Sequence, residues 1–361
     1  MDGSRTNLLR SLRKPHQQRR KWWITPLESV NMADPVSLDA DDRRVLHALQ
    51  LDGRASFARI AAVLGMSERA VARRYHRLRS RLALRVIGVT RPNPREQEEW
   101  FLRITAASGS VDAVARALAD RGDTSWIASL AGDGGLGCII RTPTAKGDGA
   151  GALELFRRSA SIATVTAQRL LAPIAGIGGW PGRLEALTAS EQEAMHLDAP
   201  ELRASETPVG AALSNDDVQL LRLLAADGRM SIARIARVSG IPETTVRRRI
   251  TELTSRGVLI FEVEVDPKLY GRHIDVICWM DVQPAALGTV ARALSSHVEV
   301  AFASTTTGTT GILAILELAD VGDLHRYLTE DIGALSGVHH VHTEIIVRWI
   351  KRAGPLIIPR A

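Results

Sequence analysis

The sequence predicts an α+β chain in which two helix-turn-helix heads alternate with two ferredoxin-like β-α-β-β-α-β units. Three observations predict it. The stretch Leu38 to Val86 recurs without a gap as Leu213 to Phe261. After each copy the apolar pattern changes from helical to alternating. Glycine-rich stretches, Gly132-Asp133-Gly134-Gly135 and Thr305 to Gly311, interrupt the alternating runs of both halves. Internal repetition marks a duplicated unit, so one unit explains most of the protein.

The repeated stretch reads as three short helices. In the second copy Val218, Leu221 and Leu224 form an apolar stripe at helical spacing. Asp227-Gly228 ends that helix, and Ser231 is placed to N-cap the next, which carries Ile232, Ile235 and Ala236. Gly240 supplies a tight turn, and Pro242 suits the first turn of helix three. Helix three buries Val246, Ile250 and Leu253, which leaves Glu243, Thr244, Arg247, Arg248 and Thr251 outside, with Thr245 beside them. The first copy surrounds buried Val71, Tyr75 and Leu78 with Arg69, Arg73, His76 and Arg77.

Two helices joined by a glycine turn, the second with a basic outer face, form a helix-turn-helix. Arginine can meet phosphate or fork onto guanine, and threonine can meet base edges or a thymine methyl. The candidate DNA-binding residues are therefore Arg69, Arg73, His76, Arg77, Thr244, Thr245, Arg247, Arg248 and Thr251. A solvated basic face is the plainer reading for one such helix, and the duplication in a basic chain argues against it.

At Asp52-Gly53-Arg54 and Asp227-Gly228-Arg229, at Ala-Arg-Ile-Ala of helix two, and at V-x-x-R-x-x-x-L of helix three, the chain resembles the Lrp/AsnC (feast/famine) family of transcription regulators. The resemblance runs from about Leu38 to Ile350, twice over. It implies two winged heads, with Gly257-Val258-Leu259-Ile260 turning into a wing strand. Leu82 stands in the first copy where the second has Gly257. It also implies two AsnC-type (RAM) units whose loops bind small molecules, typically amino acids.

Composition agrees with a globular regulator. The 361 residues allow several small domains, and 45% hydrophobic content is ordinary. A net charge of +6 favours an anionic partner. Cys138 and Cys278 lie far apart, outside any C-x-x-C pair, and read as buried strand residues of a cytoplasmic protein. No apolar run is long enough for a membrane helix, so no membrane is expected.

Residues 1–36 read as a disordered basic tail, with Met32 an alternative start. Residues 37–90 form the first head and 97–172 the first ferredoxin-like unit. Residues 173–212 read as a linker with a short helix near Ser190 to Met195. Residues 213–265 form the second head and 272–351 the second unit. In the first unit, strands are expected at Trp100–Ala106, Trp126–Leu130, Leu136–Ile140 and Ile162–Leu171. Helices are expected at Val111–Leu118 and around Leu153–Phe156. In the second, strands are expected at Ile274–Val282, Val298–Ser304, Ile312–Leu318 and Val338–Trp349, with helices at Leu287–Leu294 and Leu324–Ile332. Each such sheet has one face covered by helices and needs a partner for the other. The two halves can partner one another as an intramolecular pseudo-dimer, with further self-association open.

The glycine loops are the candidate effector site: Gly132, Asp133 and Gly135 in one half, Thr307, Gly308, Thr309 and Gly311 in the other. The family pattern there is roughly T-G-x-x-D, and Gly311 stands where the Asp is usual. Plain hairpin turns are the competing reading. His340 and His342 share a strand face with Glu344, an arrangement read as polar strand residues and not as a metal centre. No cofactor is called for, and nothing in the pattern asks for catalysis. The expected function is sequence-specific recognition of double-stranded DNA, modulated by an amino-acid-like effector. The alternative is a tetrapyrrole enzyme, since siroheme decarboxylases resemble the same fold. The N-x-M-x-x-W-like strand associated with them is absent, for Cys278-Trp279-Met280 is not that motif.

Overall fold

The computed structural model describes residues 37–81, 84–90, 97–131, 135–143, 154, 156–176, 186–196 and 213–352. The basic tail lies outside them. The first half runs α1 (Ala40–Leu51), α2 (Phe57–Leu64), α3 (Glu68–Ser80), β1 (Leu84–Thr90), β2 (Gln97–Ala106), α4 (Val111–Ala119), β3 (Thr124–Leu130), β4 (Gly135–Pro143) and β5 (Ile162–Ala175), followed by α5 (Ala189–His196). The second half runs α6 (Asn215–Ala226), α7 (Ile232–Ser239), α8 (Glu243–Ser255), β6 (Leu259–Val265), β7 (Ile274–Val282), α9 (Leu287–Ser296), β8 (Val300–Thr306), β9 (Ile312–Leu318), α10 (Val321–Arg326) and β10 (Val338–Lys351).

Each head is built as its residues dictate. Asp39 and Asp42 form a capping box on α1, as do Ser214 and Asp217 on α6. Ser56 and Ser231 cap the second helices, which end on Gly65 and Gly240 in the left-handed region at φ 67° and 75°. Pro242 is the N-cap of α8 and not its first residue. The expected stripes of α3 and α8 are buried. The recurring Asp and Arg pairs prove to be ion pairs between first and third helices. Arg74 Nη1 lies 2.8 Å from Asp42 and Arg249 Nε 3.3 Å from Asp217.

The expected wing takes another form. Each head has a single strand among the described residues, and β1 pairs antiparallel with β6, from Leu84 opposite Val265 to Thr90 opposite Leu259. The two heads thus share one ribbon instead of folding two hairpins. A lone strand needs a ladder partner, and here the equivalent strand of the other head supplies it. The ribbon also completes both cores: Val265 packs in the first head's core, and Gly88 lies against Leu224 of α6.

The strands of the first half lie in the order β5-β2-β4-β3 and those of the second in the order β10-β7-β9-β8, and they join at both edges into one closed eight-stranded barrel. At one seam Leu170 to Ala175 of β5 pair with Thr306 to Ala303 of β8. At the other, Ile346 to Lys351 of β10 pair with Leu130 to Ile127 of β3. Helix α4 covers the first sheet outside, and α9 with the segment Val321–Ile332 covers the second. The faces turned inward meet in a third core of Phe101, Ile139, Ile277, Trp279, Leu313 and Ile346. Closure satisfies the edges that open sheets expose. Cys138 and Cys278 are free and buried, and burial pushes both thiols up to about 12.

The linker reading needs correcting at its start. Pro173 and Ala175 belong to β5, and residues 186–196 pack on the first head. There Leu187 and Met195 are buried, the backbone N–H groups of Ala186 and Leu187 donate to His47 Nδ1, and Glu191 meets Arg44 at 2.6 Å. Leu153 and Leu155 of the expected second helix lie outside the described residues, while Glu154 and Phe156 are helical.

Candidate functional site

On α3, Arg69, Arg73, His76 and Arg77 are exposed. His76 stacks edgewise on Tyr75 and Phe57, which holds its ring at the surface. Arg77 departs from expectation: its guanidinium donates to buried Asp42, so part of its fork is committed inside the head. On α8, Thr244, Arg247, Arg248 and Thr251 are exposed, whereas Thr245 is half-buried. Thr251 donates its hydroxyl to the Arg247 carbonyl at 3.1 Å, and Arg248 lies 3.7 Å from Glu252 one turn on. Both contacts are solvent-exposed and leave the two guanidiniums able to turn outward.

The focus on third helices missed Arg234 and Arg237, both exposed on α7 beside α8. The repeat places an arginine at the equivalent point of both second helices, and the structure makes the two unlike. Arg59, which corresponds to Arg234, donates to the Ala194 and Met195 carbonyls of α5 and so is occupied in the first head.

Of the two candidate effector loops, the second lies at a barrel seam, next to the pairing of Leu170 with Thr306. Gly132 and Asp133 are outside the described residues; Gly135 opens β4 opposite Thr105. In the second loop Thr307, Gly308 and Thr309 are exposed and Gly311 half-buried. That loop is tied to the other half. Thr307 Oγ1 accepts from the Arg169 N–H at 2.9 Å, and Gln168 Nε2 donates to Thr310 Oγ1 at 2.8 Å. The Gln168 amide oxygen accepts from Trp279 Nε1 at 3.1 Å, Arg103 lies over the Trp279 ring, and Arg103 pairs with Glu344. His342 packs on Trp279 and lies 3.4 Å from Glu344. No group of three metal-binding side chains occurs among the described residues. The polar chain across the barrel was not foreseen, because its members come from four strands in two halves.

The arrangement defines a two-headed helix-turn-helix protein on a closed β-barrel. The AsnC-type helix-turn-helix domain matches residues 38–79 and 213–254, and the Lrp/AsnC ligand binding domain matches residues 275–356. An uncharacterized HTH-type transcriptional regulator of Pyrococcus horikoshii is 32% identical over 143 residues, 39% of this chain and 90% of that protein. The regulator LrpA of Pyrococcus abyssi is 30% identical over 136 residues, 37% of this chain and 96% of its own length. The chain belongs to the Lrp/AsnC family of HTH-type transcriptional regulators, with about two family lengths in one polypeptide. Among solved structures, the siroheme decarboxylase NirDL shares the fold across both halves, with a TM-score of 0.57 at 10% identity, covering 86% of this chain and 92% of that one.

Proposed function

We propose that the chain is a single-polypeptide, sequence-specific DNA-binding regulator in which the two halves act as an intramolecular pseudo-dimer. The layout is the one read from sequence, heads at 37–90 and 213–265 and ligand units at 97–172 and 272–351, with a shared ribbon in place of separate wings. One observation carries the reading. Two unlike basic helix faces, on α3 and α8, stay exposed on heads joined through one β-ribbon. Such heads read two half-sites in fixed geometry. The α8 face, with Thr244, Arg247, Arg248 and Thr251, suits base reading, and the α3 face, with Arg69 and Arg73, suits phosphate. The working place is then the cytoplasm with the DNA. Among the described residues no helix is long and apolar enough to cross a membrane. The fold likeness to a siroheme decarboxylase brings no activity with it, and the relatives matched by sequence are named as regulators.

Selection of preferred duplexes from a random pool tests this. The expected product is an asymmetric site with two unlike half-sites roughly 10–21 base pairs apart, centre to centre. A perfect palindrome means that two copies of one head do the reading, and the pseudo-dimer reading is then wrong.

The second glycine loop is proposed as the effector contact, taking a small amino-acid-like molecule at the seam. Gly308 has φ +103°, and a Cβ there would lie 3.3 Å from Gln168 Nε2. A side chain is strained in that backbone region and crowds the amide. Gly308→Asp is expected to abolish the shift in DNA affinity that an amino acid produces, with basal binding kept. An undiminished response in the variant moves the effector site elsewhere.

A further inference from the structure

The Asp-Gly-Arg stretches do more than end a helix. Arg54 reaches from the first head into the second, where Nη1 donates to the Gly228 carbonyl at 2.6 Å and Nη2 to the Met230 carbonyl at 3.3 Å. Arg229 makes the reciprocal reach to the Gly53 carbonyl at 2.8 Å and the Ala55 carbonyl at 2.9 Å. The glycines permit the approach. A Cβ on Gly228 would lie 2.9 Å from the Ile87 backbone, and one on Gly53 2.9 Å from Phe261 Cβ. Each guanidinium is also stacked: Arg54 over Phe261, Arg229 over Phe57 and Tyr75. The two arms are unequal. Tyr75 belongs to α3, and Arg79 of α3 meets Asp227 at 2.7 Å, so the second head grips the first head's recognition helix directly.

We propose that Arg54 and Arg229 are positioning residues that fix the separation and angle of the two recognition helices, so that the chain accepts half-sites at one spacing only. A guanidinium fork on two carbonyls resists rotation as well as separation, which a single contact cannot. A ribbon of two strands alone twists readily, and the crossed arms brace it at its middle, where Gly228 lies against Ile87 and Gly53 against Phe261. The proposal rests on the two-headed reading above, and its consequence is a sharp dependence on DNA phase.

The test uses the full chain and duplexes carrying both selected half-sites, with their separation varied one base pair at a time through a helical turn. For the wild type, a half-turn offset is expected to cost ~tenfold or more in affinity, because the second half-site then faces away. In the Arg54→Ala, Arg229→Ala variant the profile is expected to flatten to under ~threefold, with affinity for a single half-site duplex unchanged. Arg229→Lys keeps the charge but loses the fork, and is expected to flatten the profile too; it guards against loss of fold in the double variant. A folded variant that retains the wild-type profile overturns the proposal, whereas a wild type indifferent to spacing overturns the two-headed reading beneath it. Spin labels at Ala62→Cys and Val238→Cys separate these cases without DNA. One narrow distance distribution that broadens in the arginine variants upholds the bracing role, and one equally narrow in both removes it.

Discussion

Replacing Arg247 and Arg248 together by alanine is expected to lower affinity for the selected DNA site by about a hundredfold or more, since each good base contact is worth ~1–3 kcal/mol. The loss falls on recognition and not on folding. Both side chains are exposed, and among the described residues their ion pair, Arg248 with Glu252, is a surface pair one helical turn apart, worth only about 0.3–0.5 kcal/mol. The melting temperature should therefore stay near that of the wild type. Titrations at several salt concentrations divide the effect. Lost base contacts lower specific binding at an unchanged salt slope, whereas lost phosphate contacts reduce the slope by about one per arginine and weaken all sequences alike. If affinity and salt slope both survive in the folded variant, α8 is not the reader. The same pair of substitutions on α3, at Arg69 and Arg73, should mainly change the slope.

Arg74→Ala is expected to unfold the first head or bring it to the edge of unfolding. Arg74 bridges Asp39, Asp41 and Asp42, and the Asp42 side chain is fully buried. Removing one partner of a buried pair costs ~3–5 kcal/mol, because the other charge is left unsatisfied, a large share of a domain's net stability. Arg77 also meets Asp42 and softens the loss without replacing the three-carboxylate bridge. Calorimetry should show an early transition absent from the wild type. A single unshifted transition would mean that the bridge adds nothing. The same cluster sets an acid limit. Burial raises the Asp39 carboxyl, but the hydrogen bonds from Arg74 and the Asp42 N–H outweigh it and hold the group below its ordinary value. A depressed carboxylate stabilises fully above its unfolded value, about 3.9, and the contribution is lost as pH falls through the folded value. Acid unfolding of this head should accordingly begin below about pH 4 and start at higher pH in Arg74→Ala.

The heads were legible because their signals are local. A capping residue, a left-handed glycine and a helical stripe sit within a few residues of one another, and Ser231, Gly240 and Val246 behave as the pattern says. Strand placement was legible for the same reason, with β7 and β9 bounded as expected. What escaped depends on partners in the other half. Arg54 looks like any polar residue after a helix until Gly228 is seen beside it. The strand after Gly257 carries nothing that says whether its partner is a hairpin arm or β1. Thr245 and Arg77 sit at the margin of a helix face, where a few degrees decide whether a side chain faces solvent or a neighbour. The Arg103, Trp279 and Gln168 chain joins strands that no sequence window contains.

The closed barrel has a consequence for the chain as it is made. During synthesis β3 and β5 emerge long before β8 and β10, the strands that cover their edges. A half-finished molecule therefore offers two unpaired edges, the kind of surface that templates contact with other chains. Closure must wait for the last strand, and such distant pairings form slowly. An exchange of halves between neighbouring nascent chains would keep the native ladders, and is the misassembly expected at this stage. Fusing two family lengths removes the concentration dependence of pairing and moves the hazard to the interval between the first sheet and the second.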